Sequence, residues 1–179
     1  IISDGGGAPN VVPDFAAANF MLRSREKEYL HDVVVERVAS IAQGAAAMTG
    51  ATVEIEPFYP LYENVRPNVT LAKATGDHAA HYGLRLDEPE ADARGAGGST
   101  DFGNVSQVVP SFAMTFAISE VPIPGHSIEM AAAAITDLGH GNALLCAKAI
   151  GATACELLQD PSLVERARAE FDQRGEALS

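Results

Sequence analysis

The sequence predicts an α/β fold in two parts: a small antiparallel piece with one helix on its face, then a helix-rich α/β segment. Three observations carry this reading. Apolar residues recur every three or four positions from Arg25 to Thr49, short alternating runs flank that stretch, and Pro57, Pro60 and Pro67 mark a change of regime near residue 60.

The elements follow in order. Residues 1–14 join an apolar start to Gly5-Gly6-Gly7 and to Pro9 and Pro13, which predicts a turn followed by extended chain. Residues 15–23 read as a strand in which Asn19, Met21 and Arg23 share one face and Phe20 and Leu22 share the other, buried one. Leu30, Val34, Val38, Ile41, Ala45 and Met48 form the apolar stripe of a helix that Gly50 closes. Val53 and Ile55 alternate with Thr52, Glu54 and Glu56, the pattern of a half-exposed strand over 51–56. Beyond the boundary, Pro67 fits the first turn of a helix running to about Tyr82 and stopped by Gly83. Residues 87–98 are an acidic and then glycine-rich loop, and Val105 to Ile118 gives a short helix end and a strand over 111–118. An alanine-rich helical region follows over 127–158, with its break expected at Gly139 and Gly141. Asp160-Pro161 opens a last helix through Phe171, by an N-cap followed by proline at the first helical position.

Composition excludes several classes. The chain has 179 residues, 47% hydrophobic but only 6% aromatic, with no Trp. Alanine supplies much of the apolar share, which suits close-packed helices. Twelve Lys and Arg against 24 Asp and Glu give a net charge of −12, and the basic residues are scattered. Phosphate-backbone binding needs them clustered, so nucleic acid is not an expected partner. No run approaches the roughly 18 apolar residues of a membrane helix, and the Ile1-Ile2-Ser3-Asp4 start has neither the basic nor the apolar region of a signal peptide. Cys146 and Cys155 lie on opposite faces of one helical pattern, so they read as two buried free thiols in a reducing cytoplasm.

Three stretches could carry chemistry. In Gly6-Gly7-Ala8-Pro9-Asn10, followed thirteen positions later by Arg23, an amide and a guanidinium on neighbouring strands would make a carboxylate clamp. The same residues also read as a turn Asn and a surface Arg paired with a nearby acid. Gly95-Ala96-Gly97-Gly98-Ser99-Thr100-Asp101 can expose backbone N–H groups to an anionic oxygen, or be a plain loop before an N-cap. No Lys follows these glycines, so it is not a nucleotide loop. His126, in Pro124-Gly125-His126-Ser127-Ile128-Glu129, sits in a constrained turn before a helix start. Its imidazole is either a metal ligand or a structural side chain. His31, His78, His81 and His140 show no ligand spacing.

Taken in order, the three stretches resemble the zinc-dependent amidohydrolase and exopeptidase superfamily of aminoacylase and carboxypeptidase G, closest to its p-aminobenzoyl-glutamate hydrolase branch. The resemblance covers essentially the whole chain. It implies that residues 1–60 are the second half of a ferredoxin-like lid and dimerisation domain, and 61–179 the C-terminal α/β segment of the catalytic domain. Asn10 and Arg23 match lid residues that hold the substrate carboxylate. Gly97 and Gly98 match the glycine turn whose backbone helps hold it, and His126 matches the last metal ligand. The implied cofactor is a pair of divalent ions, zinc or else manganese, that activates a water for attack on an amide. A small-molecule substrate bearing a carboxylate and a homodimer formed through the lid are implied as partners.

The family's remaining ligands and its glutamate base match nothing in this sequence, so the chain is expected to be a C-terminal portion that is inactive alone. The alternative reading is a non-catalytic α/β module for dimerisation or binding.

Overall fold

In the computed structural model, which describes residues 1–84 and 99–176, sheet structure is confined to one short antiparallel pair. Strand β1 (Ile2–Asp4) pairs with β2 (Ala17–Ala18) in an irregular register, Ile2 opposite Ala18 and Asp4 opposite Ala17. The N-terminal ammonium donates to the carbonyl of Asn19 at 2.9 Å, and the Asn19 amide donates back to Ile1 at 2.8 Å.

Helix follows. A turn of α1 (Lys27–Tyr29) runs through a π-helical stretch, Leu30–Val35, into α2 (Glu36–Thr49). The wide turn includes the run Val33-Val34-Val35, where β-branched side chains crowd the preceding turn and weaken ordinary α-helical closure. Gly50 ends α2 at φ 70°, the left-handed cap expected from sequence. The remaining helices are α3 (Val69–His81), α4 (Phe102–Ser106), α5 (Ile128–Ala134), α6 (Asp137–Gln159) and α7 (Pro161–Glu176).

The chain divides into two compact units, Ile1–Asn64 and Val65–Ser179. In the first, Leu30 is the one buried side chain among the described residues. In the second, α3 packs on α6 and α7. Its core consists of Ala79, Leu84, Cys146 and Ala149, with Met114 and Leu145 packed against it. Small side chains at Ala72 and Ala167 are buried as well, so among the described residues alanine supplies most of the buried apolar side chains on these helices, with Leu163 of α7 the large exception.

Polar contacts fix the packing. Thr153 Oγ1 lies 3.2 Å from Thr75 Oγ1, and each hydroxyl also bonds a carbonyl of its own helix, Thr75 to Leu71 and Thr153 to Ala149. Glu170 of α7 accepts from the amides of Val69 and Thr70 and from the Thr70 hydroxyl, all at 2.8 Å. It thereby satisfies N–H groups that the first turn of α3 leaves without helical partners. Asn68 caps the same helix through Leu71 and donates to the Ala167 carbonyl at 2.9 Å.

Several expectations need correction. The expected strands over 51–56 and 111–118 do not form. Residues 51–56 have no ladder partner, and Ile55 is 52% exposed. Ser111 makes a single parallel bridge to Pro67, and the Ala117 carbonyl is held by the Asn142 amide at 2.8 Å. A strand is a pairing, and an alternating pattern cannot create a neighbour that is absent. The strand over 15–23 contracts to Ala17–Ala18, and Phe20, expected to be buried, is 76% exposed. Pro67 precedes α3, whose N-cap is Asn68.

The alanine-rich region breaks at Ile135-Thr136 instead of at the glycines. Thr136 caps α6 by accepting from the Gly139 amide at 3.1 Å, so glycine falls in the first turn of the new helix. A Cβ at Gly139 would sit 2.8 Å from the Ala133 carbonyl oxygen, which explains why the tight α5–α6 turn uses glycine there. Asp160 accepts from the Ser162 amide at 2.9 Å, the N-cap read from sequence, but α7 runs on past Phe171 to Glu176. Cys146 is buried as expected, whereas Cys155 is exposed.

Candidate functional site

Asn10 and Arg23 both belong to the first unit, Asn10 in the loop between β1 and β2 and Arg23 five residues beyond β2. Both are exposed. Gly6 shapes the loop at φ 90°, and its amide donates to Asp4 at 3.0 Å. A Cβ there would fall 2.9 Å from that of Pro13, so only glycine fits the fold-back. The fold-back leaves an open cleft of about 610 Å³, whose lining includes Asp4, Val11, Val12, Asp14 and Phe15. Arg23 Nη2 lies 3.2 Å from the Met21 sulfur, so these two side chains share a side, as their spacing of two predicts. Gly97 and Gly98 lie outside the described residues.

His126 belongs to the second unit. Among the described residues it is the one non-glycine with positive φ, at 56°. That left-handed backbone costs a β-carbon-bearing residue roughly 1–2 kcal/mol. The turn that offsets this is built by Ser127. Its hydroxyl donates to the Pro124 carbonyl at 2.7 Å and accepts from the Met130 amide at 3.0 Å, capping α5. Two such bonds are worth about 0.5–1.5 kcal/mol each, enough to hold the strained residue. His126 is exposed, so its imidazole is open to a ligand.

A structural zinc site takes four ligands and a catalytic one at least three from protein. Among the described residues no three His, Cys, Asp or Glu side chains come together. His126 has the chemistry of one metal ligand, but the described residues do not assemble a centre around it.

Two contacts were invisible in the sequence. His78, which lacks ligand spacing along the chain, meets Glu156 of α6 at 2.8 Å. They are 78 positions apart, and only the packing of α3 on α6 joins them. The clasp from Ser127 to Pro124 was also hidden, although the Pro-Gly before His126 already marked a turn. Burial pushes the Cys146 thiol above its ordinary range, which disfavours the nucleophilic thiolate. No helix among the described residues is long and apolar enough to cross a membrane.

No family model matches the chain. It is 34% identical over 171 residues to the Xaa-Arg dipeptidase of Mus musculus and 32% identical over 171 residues to that of Homo sapiens. Each alignment covers 96% of this chain and 39% of the relative. It is 26% identical over 228 aligned positions to a subunit of the p-aminobenzoyl-glutamate hydrolase of Escherichia coli (strain K12), covering 97% of this chain and 46% of the relative. The chain therefore spans less than half the length of each of these proteins.

Proposed function

The chain belongs to the amidohydrolase and peptidase superfamily of these relatives, and from that premise we propose that it is part of a metal-dependent hydrolase. The substrate class is a dipeptide or an N-acyl or aminobenzoyl amino acid with a free carboxylate, cleaved at its amide. The names of the relatives support this class, since one describes a dipeptidase and the other a hydrolase of p-aminobenzoyl-glutamate. The observation that carries the reading within this chain is the left-handed backbone of exposed His126, a strain of the kind found at functional sites.

In this reading His126 supplies one ligand to a centre of two divalent ions, zinc or else manganese. The other ligands lie outside this chain, so the 179 residues alone are inactive. Asn10 and Arg23 hold the substrate carboxylate, and Gly97 and Gly98, which lie outside the described residues, are assigned to substrate binding by the resemblance alone. The guanidinium fork of Arg23 fixes the carboxylate in two-point geometry, which orients the amide for attack.

Residues 1–60 act as the lid and dimerisation part in a homodimer. Ile2, Phe15, Phe20, Met21 and Met48 are all exposed, and large apolar side chains left uncovered are available to an association face.

The test is kcat/KM for Arg23→Ala in the complete enzyme, with paired substrates that carry a free carboxylate or its amide. A charge-assisted bond is worth about 1.5–3 kcal/mol, so the carboxylate substrate should lose roughly ten- to a hundred-fold and the amide little. Arg23→Lys should recover only part of the loss. An equal loss for both substrates would make Arg23 a structural residue.

A further inference from the structure

We propose that Ser127 is the positioning residue for His126: its hydroxyl, bonded at once to the Pro124 carbonyl and the Met130 amide, holds the left-handed backbone that presents the imidazole. The inference deepens the reading of His126 as a ligand and rests on it.

Three observations converge on Ser127. Its Oγ donates across the turn at 2.7 Å to Pro124 and accepts at 3.0 Å from the first turn of α5, so one atom ties the residues on both sides of Gly125-His126. Between those ties stands His126 at φ 56°, a conformation that a non-glycine residue leaves when nothing holds it. The residue before it is Gly125, which restrains the backbone least, so the chain itself supplies little stiffness on that side. Pro124 fixes its own φ and thereby the position of the carbonyl that Ser127 grips. Cap and clasp are the two halves of one hydroxyl, and the strain at His126 is what they hold.

The functional consequence is a population effect. A ligand presented from one backbone conformer binds with an affinity reduced by the fraction of time that conformer is absent. If release of the clasp leaves the left-handed conformer at about a tenth of the population, apparent zinc affinity falls about tenfold.

Three substitutions separate positioning from helix capping. Ser127→Thr keeps both bonds. Ser127→Gly loses the hydroxyl, yet glycine is nearly as good an N-cap, so α5 should persist. Ser127→Ala loses both. The first readout is the intraresidue amide-to-Hα nuclear Overhauser effect of His126 in this chain, which is strong when φ is positive. It should be retained in Ser127→Thr and weakened in Ser127→Gly and Ser127→Ala. The second is Zn²⁺ titration of the complete enzyme, where Ser127→Gly should bind about tenfold more weakly and Ser127→Thr like wild type. A Ser127→Gly protein with the wild-type Overhauser effect and zinc affinity would overturn the proposal, as would a Thr variant as impaired as Gly. His126→Ala serves as the separate arm. If it leaves zinc affinity intact, the ligand reading fails and the proposal falls with it, whatever the Overhauser effect shows.

Discussion

His78 Nε2 stands 2.8 Å from a carboxylate oxygen of Glu156, joining α3 to α6 one turn beyond the buried contact of Thr75 with Thr153. The pair is an ion pair when the imidazole is protonated and a hydrogen bond otherwise. Its side chains are 29% and 40% exposed, so solvent screens it and its coupling should be small, about 0.2–1 kcal/mol. A double-mutant cycle of His78→Ala and Glu156→Ala, read by urea denaturation, should return a value in that range. No coupling would mean that Thr75, Thr153 and the alanine contacts hold the two helices unaided.

Glu170 should matter more. Its carboxylate takes three bonds of 2.8 Å from Val69 and Thr70 at the start of α3, which anchors α7 there. Charge-assisted bonds of this kind are worth about 1.5–3 kcal/mol, and Glu170→Ala leaves the amides without that acceptor. The urea midpoint should fall correspondingly, and Glu170→Gln, with one acceptor oxygen left, should restore only part. A midpoint unchanged in the Ala variant would show that water replaces the carboxylate at no cost.

Asp160 gives a pH dependence with a defined sign. The Ser162 side chain, foremost, then its amide, the Arg166 charge and the Leu163 amide hold the Asp160 carboxyl below its ordinary range. A depressed folded-state pKa contributes stability that is present above the ordinary carboxyl pKa and lost as pH falls through the lowered value. The start of α7 should therefore fray on acidification, and Asp160→Ala should abolish that component. Amide exchange at Ser162 and Leu163 across the acid range checks this; identical profiles in both proteins would leave Asp160 without the role.

What was legible in the sequence was local. Gly50 and Gly83 mark the ends of α2 and α3 because left-handed caps are written in single residues, and Asp160-Pro161 opens α7 for the same reason. The break after α5 was misplaced because Gly139 looked like a helix breaker, whereas Thr136 is the cap and the glycine answers a close carbonyl. The strand over 51–56 failed because alternation states which face is apolar but not what covers it. Around His126, the turn itself was readable from Pro124-Gly125. The left-handed φ of His126 and the Ser127 clasp were not, since both depend on how the turn closes in space. Glu156 and Glu170 were unreadable for a related reason: their partners lie 78 and about a hundred positions away.

Central to the proposed function is that this chain contributes His126 to the metal centre of an amide-cleaving enzyme. The direct measurement is bound metal per chain, together with the rate of dipeptide or aminobenzoyl-amino-acid hydrolysis, for the complete enzyme and its His126→Ala variant. The variant should lose metal and nearly all activity while its circular dichroism and urea midpoint stay close to wild type. Full metal content with a near-normal rate in His126→Ala would contradict it.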